Sequence, residues 1–309
     1  MAEKVDLGVK ICGLAFKNPV IAASGTYGFG REFSEYLDLG ALGGIAVKGL
    51  TLEPRQGNKP PRVAEAAAGM LNSVGLQNPG VEAFIEHELP FLRQFMGGGL
   101  RIIANVAGNT IEDYMEMVRV LSDTDIDAIE LNVSCPNVKE GGVAFGSSVS
   151  GVKQAVGAVR PLCKKPLIVK LTPNVANIAE IACAAEGAGA DAISLINTLL
   201  GMKIDVHTQR PVLKNNTGGL SGPAVRPVAV RMVFDVAGAV SIPVIGMGGI
   251  ECGEDAVEFM LAGASAVMVG TANLVYPDAC LKVISGISGY MEQMGCTRVS
   301  DIVGKVKVW

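Results

Sequence analysis

Residues 128–137 read Ala-Ile-Glu-Leu-Asn-Val-Ser-Cys-Pro-Asn, and they hold the most reactive combination of side chains in the chain. A short apolar run ends in two carboxamides (Asn132 and Asn137), a hydroxyl (Ser134) and a thiol (Cys135). Pro136 fixes φ and removes an N–H as the chain leaves the run. The run predicts a buried strand, and polar groups at the carboxyl end of a parallel strand are where α/β enzymes place their chemistry. A free thiol titrates near about 8.5, so only about 3 % is thiolate at neutral pH. Nearby ammonium groups would raise that fraction. A thiolate in a covered pocket can take a proton from carbon or attack a carbonyl. The chain's two histidines, His87 and His207, stand in polar surroundings and read as surface residues. A Ser-His-Asp hydrolase is therefore disfavoured, and Cys135 suits a base working beside an electron sink.

Other apolar bursts end in the same way. Lys48, Asn105, Asn132, Lys170 and Asn197 each close one. Period-two alternation puts Glu130 on the face of Asn132, and Ile168 on the face of Lys170 and Thr172. A single lysine at a strand end can simply reach water. Five polar ends aimed at one mouth would instead gather two ammonium groups and three amides. Glycine gives a second signal. The segments Pro243-Val-Ile-Gly-Met-Gly-Gly249 and Ala266-Val-Met-Val-Gly-Thr271 would place Gly248, Gly249, Gly270 and Thr271 where barrel enzymes bind phosphate, with Gly222 opening a helix beside them. Ordinary tight turns are the alternative, and the spacing is not that of the G-x-G-x-x-G dinucleotide fingerprint.

These residues need elements to hold them. Strands are expected at 20–24, 44–48, 102–106, 128–133, 167–171, 192–197, 244–247 and 266–269. Helices are expected near 31–38, 80–96, 110–123, 148–163, 177–188, 223–238, 253–262 and 277–293. Asn109 and Thr110 ahead of Glu112 and Asp113 make a good helix start. Strands alternating with helices imply a parallel sheet. Eight such units in 309 residues point to a closed (β/α)8 TIM barrel, with an open doubly wound sheet as the alternative. Residues 5–16 read as a β-hairpin closing the barrel bottom. Residues 51–76 and 201–222 read as long loops over the carboxyl-end face, and long loops in compact domains are usually functional. No linker interrupts the pattern, so residues 1–309 are expected to form one domain.

Composition narrows the class. Hydrophobic residues make up 49 % and charged ones 18 %, which disfavours disorder. A net charge of -4 disfavours a nucleic-acid surface. No apolar run reaches the roughly 20 residues of a membrane span, and the N-terminus has no signal-peptide core, so a soluble, cytoplasmic protein is expected. Seven cysteines, at 12, 135, 163, 183, 252, 280 and 296, form no C-x-x-C pair. This argues against a disulfide framework, and against a zinc or iron–sulfur site made by this chain alone. Most of the thiols are expected to be small buried apolar groups.

Over nearly its whole length the sequence resembles the class 1 dihydroorotate dehydrogenases, and in particular the catalytic subunit of their NAD-linked branch. The resemblance is carried by Asn132-Val-Ser-Cys-Pro-Asn-Val-Lys-Glu-Gly-Gly142, Lys170-Leu-Thr-Pro173, Ile196-Asn-Thr198, Leu220-Ser-Gly-Pro223 and Gly246-Met-Gly-Gly249. It implies FMN in the barrel mouth. The phosphate would lie on Gly248, Gly249, Gly270 and Thr271 with Gly222 nearby, and the ring against Ser24, Lys48, Gly49, Asn105, Asn132, Lys170 and Ile196. It implies dihydroorotate and orotate held by Asn72, Asn132, Asn137, Asn197 and Thr198, by Lys48, and by the backbone of Val74, Gly75 and Leu76. Cys135 would be the base that takes the C5 proton while the C6 hydride passes to flavin N5. Cysteine in this role marks class 1, whereas the membrane-bound class 2 enzymes carry serine. Reoxidation in the NAD-linked branch implies a partner subunit bearing FAD and a [2Fe–2S] cluster, around a catalytic homodimer. Lys139-Glu-Gly-Gly142 and residues 218–223 look like that branch; the fumarate-using branch is the alternative. Two further readings stay open on the residues alone. One is a flavin-dependent pyrimidine reductase. The other is a non-redox barrel acting on a sugar phosphate, with Lys170 as a Schiff-base lysine.

Overall fold

The structure is a computed structural model and describes residues 5–134 and 145–309. Cys135 and Asn137 lie outside the described residues. The eight apolar bursts form eight parallel strands: Val20–Ala22, Gly44–Ala46, Arg101–Val106, Ala128–Asn132, Leu167–Lys170, Ala192–Leu195, Val244–Met247 and Ala266–Val269. Each pairs with the next and the last with the first, closing the barrel. The open-sheet alternative is thereby excluded. Five strands stop one or two residues short of the expected ends, because the chain turns toward the mouth there. Single backbone bonds reach beyond the ladder, such as Ala23 N–H to Val269 C=O at 2.8 Å and Asn197 N–H to Leu171 C=O at 3.0 Å.

Alternation sorts the strand side chains into two cores. Outward residues such as Val20, Ile45, Ile102, Ile129, Leu131, Val169, Ile193 and Val267 join the large cluster under the helices. Inward residues Ile21, Ala46, Ile103, Ala128, Ile168, Ala192, Ile245 and Ala266 fill the barrel. The N-terminal hairpin, Val9–Ile11 paired with Leu14–Phe16, inserts Ile11 and Phe16 into that inner cluster, as expected of a bottom plug. Each fully buried Val, Leu, Ile or Phe contributes roughly 1.5–3 kcal/mol, so the lower barrel is a rigid base for whatever its rim carries.

The helices start on identifiable caps. Thr110 and Asp113 form a reciprocal capping box on Ile111–Ser122, Ser148 caps Val149–Val159, and Asn177 caps Ile178–Gly187. Three expected helices differ. The first shrinks to Arg31–Ser34 and gives way to the turn Leu39–Ala41, whose Leu39 is buried. The second is interrupted by a π-helical segment, Phe84–Glu88, before Leu89–Arg93. The sixth opens with a 3-10 turn, Pro223–Val225, ahead of Arg226–Ala237, since Pro223 and Pro227 cannot donate to preceding carbonyls.

The two long loops contain short strands. Leu199–Gly201, Gly218–Ser221, Gly69–Asn72 and Val63–Ala66 form a four-stranded antiparallel sheet, in that order. A small hairpin, Ile204–Asp205 with Arg210–Pro211, forms a separate two-stranded sheet. Glycine explains why alternation did not reveal this sheet. A Cβ on Gly219 would lie 2.0 Å from Thr198 Oγ1, so this strand needs a residue without a side chain to let the sixth-strand loop pass.

The expectation that most thiols are buried does not hold among the described residues. Cys163 and Cys280 are buried, Cys12 and Cys296 are half-buried, and Cys183 and Cys252 are exposed. Of the exposed pair, Cys183 lies on the helix Ile178–Gly187 and Cys252 precedes the helix Gly253–Leu261 as its N-cap residue. His87 and His207 are both exposed, as expected. No described helix is long and apolar enough to cross a membrane, and no group of three His, Cys, Asp or Glu among the described residues could hold a metal.

Candidate active site

At the carboxyl end the barrel interior splits into two halves. The second to sixth strands contribute Lys48, Asn105, Glu130, Asn132, Lys170 and Ser194, while the seventh, eighth and first contribute Met247, Met268 and Ala23. Ladder register places Glu130 level with Asn105 and Ile168, and Lys170 level with Asn132 and Ser194. Inward-pointing alternation then makes contact unavoidable. Glu130 Oε2 accepts from Asn105 Nδ2 at 2.5 Å and faces Lys170 Nζ at 3.9 Å, and Glu130 Oε1 accepts from Ser194 Oγ at 2.7 Å. Glu130, Asn105 and Ser194 are fully buried and Lys170 is 5 % exposed.

Asn105 spends its Nδ2 on Glu130, and its buried Oδ1 has no partner among the described residues. A buried acceptor left unmade costs roughly 1–3 kcal/mol, so this atom calls for a donor. A Cβ on Gly49 would lie 3.0 Å from Asn105 Oδ1 and 3.3 Å from Leu76 Cδ2, so Gly49, Asn105 and Leu76 meet at one spot.

Lys48 is half-buried and makes no ion pair among the described residues. Burial holds its ammonium below the ordinary lysine range, and the positive charges of Arg62 and Lys170 push in the same direction. Among the described residues the Lys48 charge is therefore unbalanced, which suits an anionic ligand. An anion bound to Lys48 favours its charged form, so binding should weaken as pH rises through the lowered range, at a pH where ordinary lysines are still charged. We expect the affinity for a carboxylate ligand, measured by titration from pH 7 upward, to fall at lower pH than an ordinary lysine would give; a profile that falls only where ordinary lysines lose their charge would remove Lys48 from anion binding.

Ser134 ties the amides together. Its Oγ donates to Asn132 Oδ1 at 2.5 Å and accepts from Asn197 Nδ2. Thr198 N–H donates to Asn197 Oδ1 at 2.8 Å, and Tyr114 OH donates to the Asn132 carbonyl at 2.8 Å. Asn174 supports the Thr198 loop, donating to Thr198 O at 3.0 Å and accepting from Leu200 N–H at 2.9 Å. Asn72 reaches the same rim from the antiparallel sheet, its Nδ2 3.5 Å from Gly219 O. The carbonyls of Val74 and Leu76 are engaged by Asn58 N–H at 2.9 Å and Asn78 Nδ2 at 2.7 Å, which fixes the Val74, Gly75 and Leu76 backbone.

Across the mouth the glycines converge. A Cβ on Gly249, at φ 78°, would sit 2.7 Å from Gly222 O and 2.9 Å from Arg226 Cβ. One on Gly248 would sit 3.4 Å from Ile196 Cγ1. Thr271 Oγ1 and Ser221 Oγ are 2.9 Å apart, joining the eighth-strand loop to the residue before Gly222. A Cβ on Gly270 would lie 3.7 Å from that of Ala23, beside half-buried Ser24. Such a cradle, free of side chains, lets main-chain N–H groups reach an anion.

The residues fit a flavin nucleotide. The glycines suit its phosphate, the ring's imide N–H suits Asn105 Oδ1, and a fixed ammonium suits the charge that gathers on a reduced ring. Sequence reasoning singled out all of these residues except the supports. Ser194, Ser134, Asn174, Ser221 and Arg62 carried no role, and Glu130 was placed on the inward face without one. The inward phase shared with Ala192 could have found Ser194; Arg62 sits in a stretch with no periodicity.

Comparison with known proteins agrees with this geometry. A family model described as dihydroorotate dehydrogenase matches residues 6–291. The chain is 58 % identical over 303 residues to a protein of Alkaliphilus metalliredigens named dihydroorotate dehydrogenase B (NAD(+)), catalytic subunit, covering 98 % of this chain and 99 % of that one. A protein of the same name from Alkaliphilus oremlandii is 57 % identical over 97 % of this chain and 99 % of its own, and one from Bacteroides fragilis is 56 % identical over 98 % and 99 %.

Proposed function

Since the chain belongs to the dihydroorotate dehydrogenase family, we propose that it is a flavin-dependent oxidoreductase. In this reading it oxidises (S)-dihydroorotate to orotate for pyrimidine synthesis and passes the electrons to NAD through a partner subunit. We read residues 1–309 as a single FMN-binding domain acting in the cytoplasm. The observation that carries the reading is Asn105 Oδ1, without a partner among the described residues, held upward by Glu130 beside Lys170 and across the mouth from the glycine cradle.

Bound there, FMN would supply the acceptor for the hydride that leaves C6. Gly222, Gly248, Gly249, Gly270 and Thr271 would hold its phosphate. Ser24, Lys48, Gly49, Asn105, Asn132, Lys170 and Ile196 would surround its ring. Asn72, Asn132, Asn137, Asn197 and Thr198 would meet the substrate's imide edges, because carboxamides both donate and accept. Lys48, with no carboxylate partner among the described residues, would pair with the substrate anion, and the backbone of Val74, Gly75 and Leu76 would close over it. Cys135 would take the C5 proton as thiolate. The electron pair of that C–H bond becomes the C5–C6 double bond while the C6 hydride departs, so two electrons and two hydrogens leave the substrate. Lys170 would steady the charge left on the ring.

Electron exit is assigned to a partner subunit carrying FAD and a [2Fe–2S] cluster, around a homodimer of this chain. The names of the relatives support a separate subunit, and the cysteine spacing gives this chain no ligand set of its own for iron. The test is to purify the chain, release its chromophore with acid and identify it, then assay dihydroorotate oxidation. We expect FMN, with NAD reduced only when the partner subunit is added. Rapid turnover of the lone chain with fumarate would favour the fumarate-using branch, and a colourless protein would favour the sugar-phosphate reading.

A further inference from the structure

Glu130 is a fully buried carboxylate in the middle of a barrel strand, and no step above consumes its charge. Packing does not require it. The inward residues below it on its own and the preceding strand are Ala128 and Ile103, Ile168 stands level with it on the next, and an apolar residue could close the same space. Buried ion pairs are often no better for stability than well-packed apolar groups. The geometry instead fits an orienting device. Ser194 pins Oε1, and Oε2 lies between Asn105 Nδ2 and Lys170 Nζ. A carboxylate can only accept, so it decides which end of the Asn105 amide faces it and leaves Oδ1 turned to the mouth. It also draws the Lys170 ammonium to one side of the cavity, on a strand that would otherwise let a four-carbon stem wander.

We propose that Glu130 is a positioning residue that holds the Lys170 ammonium and the Asn105 amide in the orientations the flavin ring needs. This rests on the reading that the barrel mouth binds flavin. Glu130→Gln removes the charge while keeping the shape and a hydrogen bond to each of Ser194 and Asn105. Two consequences can be told apart. Merely deleting a negative charge near the ring would make the bound flavin easier to reduce. Releasing Lys170 from its place would make it harder to reduce.

The experiment measures the flavin's reduction potential and the anaerobic rate of its reduction by dihydroorotate in the wild type, E130Q, K170A and the double variant. We expect E130Q to shift the potential to more negative values and slow reduction about ten-fold, and both effects to shrink to less than about two-fold when Lys170 is already alanine, as for residues acting through one another. An unchanged or more positive potential, or the same ten-fold loss in the K170A background, overturns the proposal. Should E130Q fold poorly, Ser194→Ala removes one of the donors that pin the carboxylate; a smaller negative shift supports the proposal and none overturns it. Failure of the wild type to bind flavin or to be reduced by dihydroorotate would instead overturn the underlying functional reading, so the two failures are distinct.

Discussion

Cys135→Ala should bind flavin as the wild type does and lose about 10²–10⁴-fold in the rate at which dihydroorotate reduces it, the usual contribution of a positioned general base. The C5 proton is held by carbon, so water in the mouth is a poor substitute for a thiolate. The pH profile gives a second signature. In the wild type, reduction should quicken as pH rises through the range where a thiol ionises, about 8.5 for an ordinary cysteine; in the alanine variant that rise should vanish. Cys135→Ser should recover only a small part of the rate, and mainly at high pH, since a hydroxyl ionises far less readily. Stopped-flow mixing under nitrogen reads the wild type and both variants. Wild-type rates in Cys135→Ala would remove the thiol from the mechanism and leave the proton without an acceptor in this account.

Lys170→Ala should cost about 10²–10³-fold in flavin reduction, the scale set by removing one fixed donor from a developing charge. The loss has a structural side as well. Lys170 is 5 % exposed and its Nζ lies 3.9 Å from the buried Glu130 carboxylate. Removing one member of a buried pair strands the other, which typically destabilises by about 3–5 kcal/mol. Here Ser194 and Asn105 still serve the carboxylate, so the lower end of that range is expected. A thermal melt of the variant should show the drop, and its flavin should wash out at lower dilution. Normal flavin content together with a normal reduction rate would contradict the role given to Lys170.

Much of the barrel was legible because parallel strands buried on both faces leave apolar bursts that helices cannot mimic in so few residues. Val244–Met247 and Ala266–Val269 match their expected bounds for this reason. The polar strand ends were legible too, since Lys48, Asn105, Asn132 and Lys170 interrupt apolar runs at the position where a strand meets its loop. The four-stranded sheet was not. Its strands 63–66, 69–72, 199–201 and 218–221 are short, three of them contain glycine, and one of their pairings, 69–72 with 218–221, joins segments more than a hundred residues apart. No local period encodes such contacts. The Glu130 network escaped for a related reason: alternation reveals that a carboxylate points inward, but only the ladder register reveals that Asn105, Lys170 and Ser194 arrive at its two oxygens. Cys135 runs the other way. Sequence alone marks it, and its role must be read by chemistry.

The most direct test of the account is a single anaerobic mixing experiment on the purified wild-type chain. Added (S)-dihydroorotate should bleach the flavin absorbance in proportion to substrate, with one orotate appearing for each flavin reduced and before any electron acceptor is supplied. A chain that carries no flavin, or a flavin whose spectrum dihydroorotate leaves untouched, would contradict the assignment of this barrel mouth.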